Sequence, residues 1–274
     1  QMAEIHLINN KWKLAIEYAS NALDYNRYNI NAMQAMIIAY RKSGDKKSTK
    51  KWINKLLSVD PLHHFANLEA YYLNSSKYSW DVYNSLITNE YSDQTHLEIA
   101  ISYFNRGLNE EAIKLLERTS KNSPVNQAWL AYLNNDSSIL ESSELLSPKF
   151  VFPFRRETLE ILSWSILNSD DWKWRYYLAL NHWAKDSDEE AIKLMNDLKD
   201  IPNYGPFYAA RASLREKMKK NGISQDLERS ILLSNDSRII QLNAVKYFQS
   251  INQWKRALEL SSKLIEKFSD NFDV

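Results

Sequence analysis

Three pairs of adjacent carboxylates are the side chains of this chain best suited to acid–base chemistry. They stand at Glu110-Glu111, Asp170-Asp171 and Glu189-Glu190. Most glycoside hydrolases use two carboxyl groups, one as acid and the other as base or nucleophile. Two of these pairs fall in the first turn of a predicted helix and the third lies just before one, where the helix dipole stabilises negative charge. Because nothing in the sequence supplies a pocket that would raise the pKa of one carboxyl, we expect no catalytic residue and interpret the chain as a non-enzyme.

The histidines give no sign of a metal site. The five are His6, His63, His64, His96 and His182. On a helix the side chains of His63 and His64 diverge by about a hundred degrees, which does not suit shared coordination. The chain has no cysteine, so disulfides and thiolate metal sites are excluded. We therefore expect no metal and no cofactor.

The charges are balanced, with 35 basic and 34 acidic residues. A balanced chain has no global field to attract nucleic acid or an anionic membrane. One local basic face lies on a predicted helix at Lys46, Lys47, Lys50, Lys51 and Lys55, and a solvated helix face is its default interpretation. The apolar runs are much shorter than the roughly 20 residues that cross a bilayer. We expect a soluble protein with no nucleic-acid or membrane partner, and the compartment stays open with the cytoplasm slightly favoured.

Aromatic residues are abundant, with nine Trp and sixteen Tyr. Six of them are concentrated in one stretch, at Trp172, Trp174, Tyr176, Tyr177, Trp183 and Tyr204. Such rings serve either as stacking platforms for sugars or as fillers of wide gaps between helices. The second interpretation is favoured, and carbohydrate binding is kept as the weaker alternative.

A repeated spacing indicates the elements that carry these side chains. Gly44 and Pro61 are separated by the same interval as Gly107 and Pro124. Small residues also recur twelve apart, at Ala3 and Ala15, Ala100 and Ala112, and Ala179 and Ala191. Small side chains let two helices pack closely, glycine makes the turn between them, and proline follows the second helix. With only 4 Gly and 6 Pro in 274 residues, the sequence predicts an all-α chain of helical hairpins, roughly 34 residues each.

The repeat phase divides the chain. Residues 30–63, 93–126 and 172–205 fit most clearly, and residues 127–171 do not fit because they are too long and carry two prolines. We predict an N-terminal array over residues 1–133, an irregular insertion or hinge over 134–171, and a C-terminal array over 172–274. Because the first helix is cut near Gln1, we expect a truncated first repeat in a piece of a longer protein, which could carry an enzymatic domain elsewhere.

On these residues the chain resembles the tetratricopeptide repeat (TPR) family, and most of its length takes part in the resemblance. The resemblance implies an α–α superhelix, a solenoid of antiparallel helix pairs, whose concave groove binds peptides or other domains. A narrower likeness to large bacterial proteins with a mutarotase-like β region upstream lies in Phe152 to Glu157, Tyr176 to Ala179 and Pro206 to Ala212. That likeness implies a helical half of a protein linked to sugar metabolism.

The resemblance also implies which side chains face the groove. In this family they stand at the second, fifth, ninth and twelfth places of each first helix. The predicted contacts are Gln34, Ile38, Arg41, Leu97, Ile101, Phe104, Lys173, Tyr176, Leu180, Trp183 and Phe207. The lysine and asparagine arrangement that clamps a terminal carboxylate in one group of the family is absent. We expect a non-catalytic scaffold for a protein or peptide partner, or for an adjacent domain of the same polypeptide. The alternative is a helical accessory module of a carbohydrate-active enzyme.

Overall fold

The computed structural model describes residues 1–74, 79–89 and 91–268, and throughout these ranges the regular structure is helical. The chain divides into two compact units, unit 1 from Gln1 to Ser147 and unit 2 from Pro148 onward. The predicted all-α, TPR-like solenoid of antiparallel helix pairs is confirmed. None of the described helices combines the length and the apolar character needed to cross a membrane.

The described residues of unit 1 form ten α-helices that pair in sequence. Their bounds are α1 Met2–Ile8, α2 Trp12–Tyr25, α3 Ile30–Lys42, α4 Lys46–Val59, α5 His64–Leu73, α6 Trp80–Ser85, α7 Ser92–Phe104, α8 Asn109–Thr119, α9 Pro124–Asn134 and α10 Ser138–Ser143. Each odd-numbered helix packs against the even-numbered helix that follows it. The first helices of successive hairpins also touch, α1 with α3, α3 with α5, and α5 with α7. These contacts stack the hairpins into an array.

Unit 2 begins with an irregular segment and continues as three hairpins. Its helices are α11 Thr158–Asn168, α12 Trp172–Trp183, α13 Asp188–Asp197, α14 Gly205–Lys217, α15 Ile223–Leu233, α16 Arg238–Ser250 and α17 Trp254–Lys267. The hairpins are α12 with α13, α14 with α15, and α16 with α17, while α11 packs on α12. Residues 144–157 form no helix, so the irregular region predicted near 127–171 is present.

The turns form where the sequence places them. Gly44 and Gly107 lie between the helices of their hairpins with φ of +81° and +72°. An L-residue with a side chain is strained there, which explains why glycine recurs at this point of the repeat. The hairpin that contains Gly44 begins at a capping side chain: the Asn29 side chain accepts a hydrogen bond from the Ala32 amide, 3.0 Å away, at the start of α3.

The alanines of the repeat lie where two helices approach most closely. Ala15, Ala100, Ala112, Ala179 and Ala191 all have no exposed surface. A methyl group at these places lets the backbones of a hairpin come together, and a larger side chain would force them apart. The predicted helix phase is therefore confirmed in both units.

Replacing Ala191 by leucine tests this packing. We expect Ala191→Leu to lower the free energy of unfolding by about 1 to 3 kcal/mol, because the extra carbons have no space between α12 and α13. Urea unfolding followed by circular dichroism measures the change. Ala184→Leu, at an exposed position after α12, is the matched control and should leave the curve unmoved. Equal curves for the two variants would contradict the packing described here.

Candidate interaction surfaces

Most of the predicted groove residues of unit 1 lie inside the protein. Gln34, Ile38, Leu97 and Ile101 are buried, and Arg41 is partly buried. Phe104 keeps part of its surface exposed and packs its ring on Trp129, with ring centroids 5.2 Å apart. Their role as partner contacts stays a prediction. Contacts within unit 1 cover Arg41 and Gln34.

A buried ionic cluster links three hairpins of unit 1 at Arg41. The Arg41 Nε atom lies 2.8 Å from Oε2 of Glu69 on α5, and its Nη1 lies 2.9 Å from Oε1 of Glu111 on α8. Lys42 Nζ is 2.6 Å from the same Glu111 oxygen. Tyr103 on α7 donates its hydroxyl to Oε1 of Glu69 at 2.8 Å. One cation thus joins carboxylates from two other hairpins.

Burial and charge set the protonation of this cluster. Burial raises the pKa of the fully buried Glu69 carboxyl, against the opposing effect of Arg41. Burial also raises the pKa of Glu111, but the hydrogen bonds from Lys42 and Arg41 outweigh it and leave that pKa lowered. For Arg41 burial opposes the charge, and the nearby Glu69 carboxylate more than compensates, so its pKa is raised. Arg41 therefore stays cationic, and this cluster acts as a structural ion-pair network.

A second buried cation, Arg106, lies on the side of unit 1 that carries the predicted groove residues, which we call the inner face. Arg106, in the turn after α7, donates to the Gln34 side-chain oxygen at 2.9 Å and to the Ser102 carbonyl at 2.9 Å. Its Nη2 lies 3.3 Å from Oε1 of Glu4 on α1. The neighbouring Gly107 lies against α1, because a Cβ built on this glycine would stand 3.4 Å from the Cα of Ile8. The first hairpin of unit 1 therefore touches the fourth, and the positions predicted to line a groove are occupied by the chain itself.

Sequence reasoning missed Glu69, Arg106 and Glu4 as members of this inner face. A usable signal existed for Glu69, since it is the one charged residue in the otherwise apolar helix HFANLEAYYL. A charge in such a helix requires a partner when it is buried. Nothing local predicts that the partner comes from α3, because that depends on how the hairpins stack.

A second buried group in unit 1 is His96 on α7, which lies among aromatic rings. Its imidazole stacks on Trp80 with centroids 6.0 Å apart and lies 6.0 Å from the Tyr83 ring. Burial, together with the nearby His64, lowers the pKa of His96 to about 4. His96 is therefore neutral in the folded protein at neutral pH.

This burial predicts a pH dependence of stability. In the unfolded chain His96 has its ordinary pKa of 6.5, so the unfolded state takes up a proton first as the pH falls. Above pH 6.5 the neutral ring makes its full contribution to the free energy of unfolding. As the pH falls from 6.5 to about 4, this free energy decreases by up to about 3 kcal/mol. Urea unfolding of the wild type and of His96→Phe at a series of pH values isolates this contribution, since other groups cancel in the difference. A difference that does not change with pH would contradict the assignment.

In unit 2 the predicted contacts divide between core and surface. Tyr176 and Phe207 are buried against each other with centroids 5.5 Å apart, and buried Lys173 lies 3.1 Å from Asp171. Leu180 and Trp183 are partly exposed.

The aromatic concentration of unit 2 is mainly core. Trp174, Tyr176 and Tyr177 are buried, whereas Trp172, Trp183 and Tyr204 keep part of their surface. The buried rings contact each other edge to face, as Trp174 and Tyr177 do at 5.9 Å. Half of the candidate sugar-stacking rings are thus inaccessible to a sugar.

An open cleft lies between α14 and α16, on the first helices of two successive hairpins. Its volume is about 370 Å³. The apolar lining comes from Ala212, Ile223, Leu227 and Tyr247, and the polar lining from Ser213, Glu216, Asn243, Lys246 and Ser250. Ile239 lies four residues before Asn243 and seven before Lys246, so the three side chains share one face of α16. Ile239 is 73% exposed and lies one helical turn before Asn243, just beyond the residues that line the cleft.

The acidic pairs and histidines form no metal cluster within the described ranges. Asp171 is the N-cap of α12 and accepts from the Lys173 amide at 3.0 Å, as its place before a helix predicts. Glu111 belongs to the Arg41 cluster, and Glu189 pairs with Lys220 at 2.7 Å. These carboxylates therefore have structural partners.

Comparisons with known proteins find similarity in fold only. No protein-family model matches the chain, and no curated protein matches it in sequence. Among solved structures, the C-terminal part of a TPR repeat-containing protein from Cytophaga hutchinsonii is 14% identical with a TM-score of 0.39, over 98% of this chain and 95% of that one. The Cut9–Hcn1 hetero-tetramer of APC/C is 14% identical with a TM-score of 0.32, over 92% and 47%. Naa15/Naa10 bound to HypK-THB is 12% identical with a TM-score of 0.31, over 95% and 51%.

The stacked helix pairs define the class of the molecule. This chain is a helical repeat protein of stacked antiparallel helix pairs, and the predicted resemblance is confirmed at the level of that architecture. The chain spans about half the length of the matched chains in the last two structures. The narrower likeness to bacterial proteins with a mutarotase-like region stays a prediction.

Proposed function

We propose that this chain is a non-catalytic interaction scaffold that binds an apolar protein segment in the cleft between α14 and α16. The segment belongs to another protein or to an adjacent domain of the same polypeptide. The observation that supports the proposal is the cleft itself, with an apolar floor, a polar rim and the exposed Ile239 at one end. Apolar anchors within a polar rim are typical of surfaces that bind protein segments.

The contrast between the two units supports this location. The inner face of unit 1 is filled by Arg41, Arg106 and their carboxylates, so a segment would have to displace buried ion pairs to enter. The cleft of unit 2 is open and needs no such displacement. Of the eleven predicted contacts, we retain Leu180 and Trp183 as contacts in unit 2, because both keep accessible surface.

A peptide library tests the proposal with the intact chain. Panning a phage-displayed library of random peptides should enrich sequences with Leu, Phe or Trp anchors. A fluorescently labelled enriched peptide should then bind Ile239→Glu and Ser213→Arg at least about tenfold more weakly, because the first removes the exposed anchor contact and the second fills the cleft. Leu232→Glu, at an exposed position on α15 outside the cleft, is the matched control and should bind as the wild type does.

Two outcomes would contradict the proposal. One is that no peptide is enriched. The other is that the enriched peptides bind all three variants equally, which would place their site elsewhere. Circular dichroism of each variant confirms that the helices are intact before affinities are compared.

Burial works against the carbohydrate alternative. Trp174, Tyr176 and Tyr177 are inside unit 2, so they cannot stack on a sugar ring without local opening. The interaction scaffold is therefore the function that the geometry supports best.

A further inference from the structure

The last helix of unit 2 has two apolar faces. One face carries Ala257, Leu260 and Leu264, which pack in the core of the α16–α17 hairpin. The other face carries Trp254, Leu258 and Ile265, which are between 57% and 68% exposed. Separations of four and seven residues place these three side chains on one line along α17. We call this line the α17 stripe.

The α12–α13 hairpin, earlier in unit 2, shows how a residue at the corresponding place is covered. Counted from Trp172 and from Arg238, Ile192 and Leu258 are both the twenty-first residue of their hairpin. Ile192 on α13 is buried, and α13 packs against α14, the first helix of the next hairpin. At the equivalent place on α17, Leu258 is exposed. The α17 stripe is therefore shaped to receive another helix with an apolar face.

Charges beside the stripe indicate which helix fits. Lys255 and Glu266 are eleven residues apart, which is three helical turns, so they flank the stripe on the same side near its two ends. When two copies of α17 pack antiparallel about a two-fold axis, Lys255 of each copy lies opposite Glu266 of the other. In a parallel two-fold pair the two Lys255 side chains would lie on opposite sides of the interface, and no Lys255–Glu266 pair would form between the copies. Glu259, on that same side, is already paired with Arg256 at 3.2 Å in its own helix.

We propose that the α17 stripe is a self-association surface, at which two copies of this chain pack antiparallel through Trp254, Leu258 and Ile265. Each end of the contact carries a Lys255–Glu266 ion pair between the copies. The surface is isologous, because the same patch is used on both copies. It is separate from the cleft between α14 and α16, so it adds a second contact to the proposed scaffold without using the residues of the first.

Analytical ultracentrifugation of the full chain over a concentration series tests the proposal. The wild type should show a reversible monomer–dimer equilibrium. Leu258→Glu should raise the dissociation constant at least about tenfold, because it places a charge in the centre of the stripe. Leu167→Glu makes the same change at an exposed leucine on α11, away from α17, and should leave the equilibrium unchanged.

Charge reversal tests the orientation. Lys255→Glu and Glu266→Lys should each weaken the dimer, and the double variant should restore it, because the two pairs then re-form with their signs exchanged. A wild type that stays monomeric at every concentration, a dimer unaffected by Leu258→Glu, or a double variant weaker than both single ones would overturn the proposal. Equal helix content of all variants by circular dichroism shows that the changes act on association.

Discussion

Arg41→Met is expected to lower the free energy of unfolding by about 3 to 5 kcal/mol, because it leaves the fully buried Glu69 carboxylate without its cation. The methionine keeps most of the apolar stem, so the loss reports mainly the missing charge. Glu111 keeps Lys42 as a partner at 2.6 Å, and the damage should therefore centre on Glu69. Urea unfolding followed by circular dichroism measures the change.

Two further variants separate charge from packing. Lys47→Met makes the same substitution of charge at an exposed position on α4 and should change stability by less than about 0.5 kcal/mol. Arg41→Met combined with Glu69→Leu should recover part of the loss, because removing both charges costs less than removing one. Suppose instead that adding Glu69→Leu to Arg41→Met lowers the free energy of unfolding further, by as much as an independent core substitution would. The loss in Arg41→Met would then not come from the broken ion pair.

Asp226→Asn in unit 2 is expected to lower the free energy of unfolding by about 3 to 5 kcal/mol, because Arg211 and Asp226 are both buried and form a two-pronged pair. Arg211 donates Nη2 to Oδ1 at 2.7 Å and Nε to Oδ2 at 3.0 Å. It also donates to the carbonyls of Met195 and Lys199, which joins the α14–α15 hairpin to the end of α13. Without the Asp226 carboxylate, the buried guanidinium keeps the two carbonyl acceptors and the exposed Asp200 carboxylate, whose Oδ1 lies 3.8 Å from Nη2.

The control for this variant is the exposed ion pair of the same unit. Lys220 and Glu189 are 2.7 Å apart, and their side chains are 39% and 72% exposed, in contrast to the buried Arg211 and Asp226. Lys220→Met should therefore cost less than about 1 kcal/mol. Comparable losses for Asp226→Asn and Lys220→Met would contradict the difference in burial on which the prediction rests.

The repeat itself could be predicted from local signals. Glycine at a left-handed turn and alanine at the closest approach of two helices are requirements of one hairpin, so Gly44, Gly107, Ala112 and Ala191 reveal the phase from spacing alone. The absence of these signals predicted an irregular region near residues 127–171, within which the structure leaves residues 144–157 without a helix. The fold class therefore follows from contacts within single hairpins.

The inner face could not be predicted in the same way. Whether Ile38 and Ile101 line an open groove or a closed interior depends on the small rotation between successive hairpins, summed over several of them. In unit 1 that sum brings Glu4 to Arg106, which are 102 residues apart in the sequence. The spacing of the repeat in the sequence therefore does not predict this rotation.

Residue type was also insufficient for the aromatic side chains. Trp174 and Trp183 stand on the same helix nine residues apart, yet one is fully buried and the other partly exposed. A tryptophan fits a core and a binding surface equally well. Only the packing of α12 against its neighbours separates the two roles.

The central claim is that unit 1 closes its inner face by bringing its first hairpin to its fourth. Because the chain has no cysteine, a double variant Ile8→Cys and Asn105→Cys can be cross-linked with a short bismaleimide and analysed by mass spectrometry. Asn105 stands two residues before Gly107, whose backbone lies against Ile8. We predict rapid cross-linking within one chain in buffer and none in concentrated urea. If both cysteines react with a monofunctional maleimide in the folded protein but never become linked to each other, the closed inner face is contradicted.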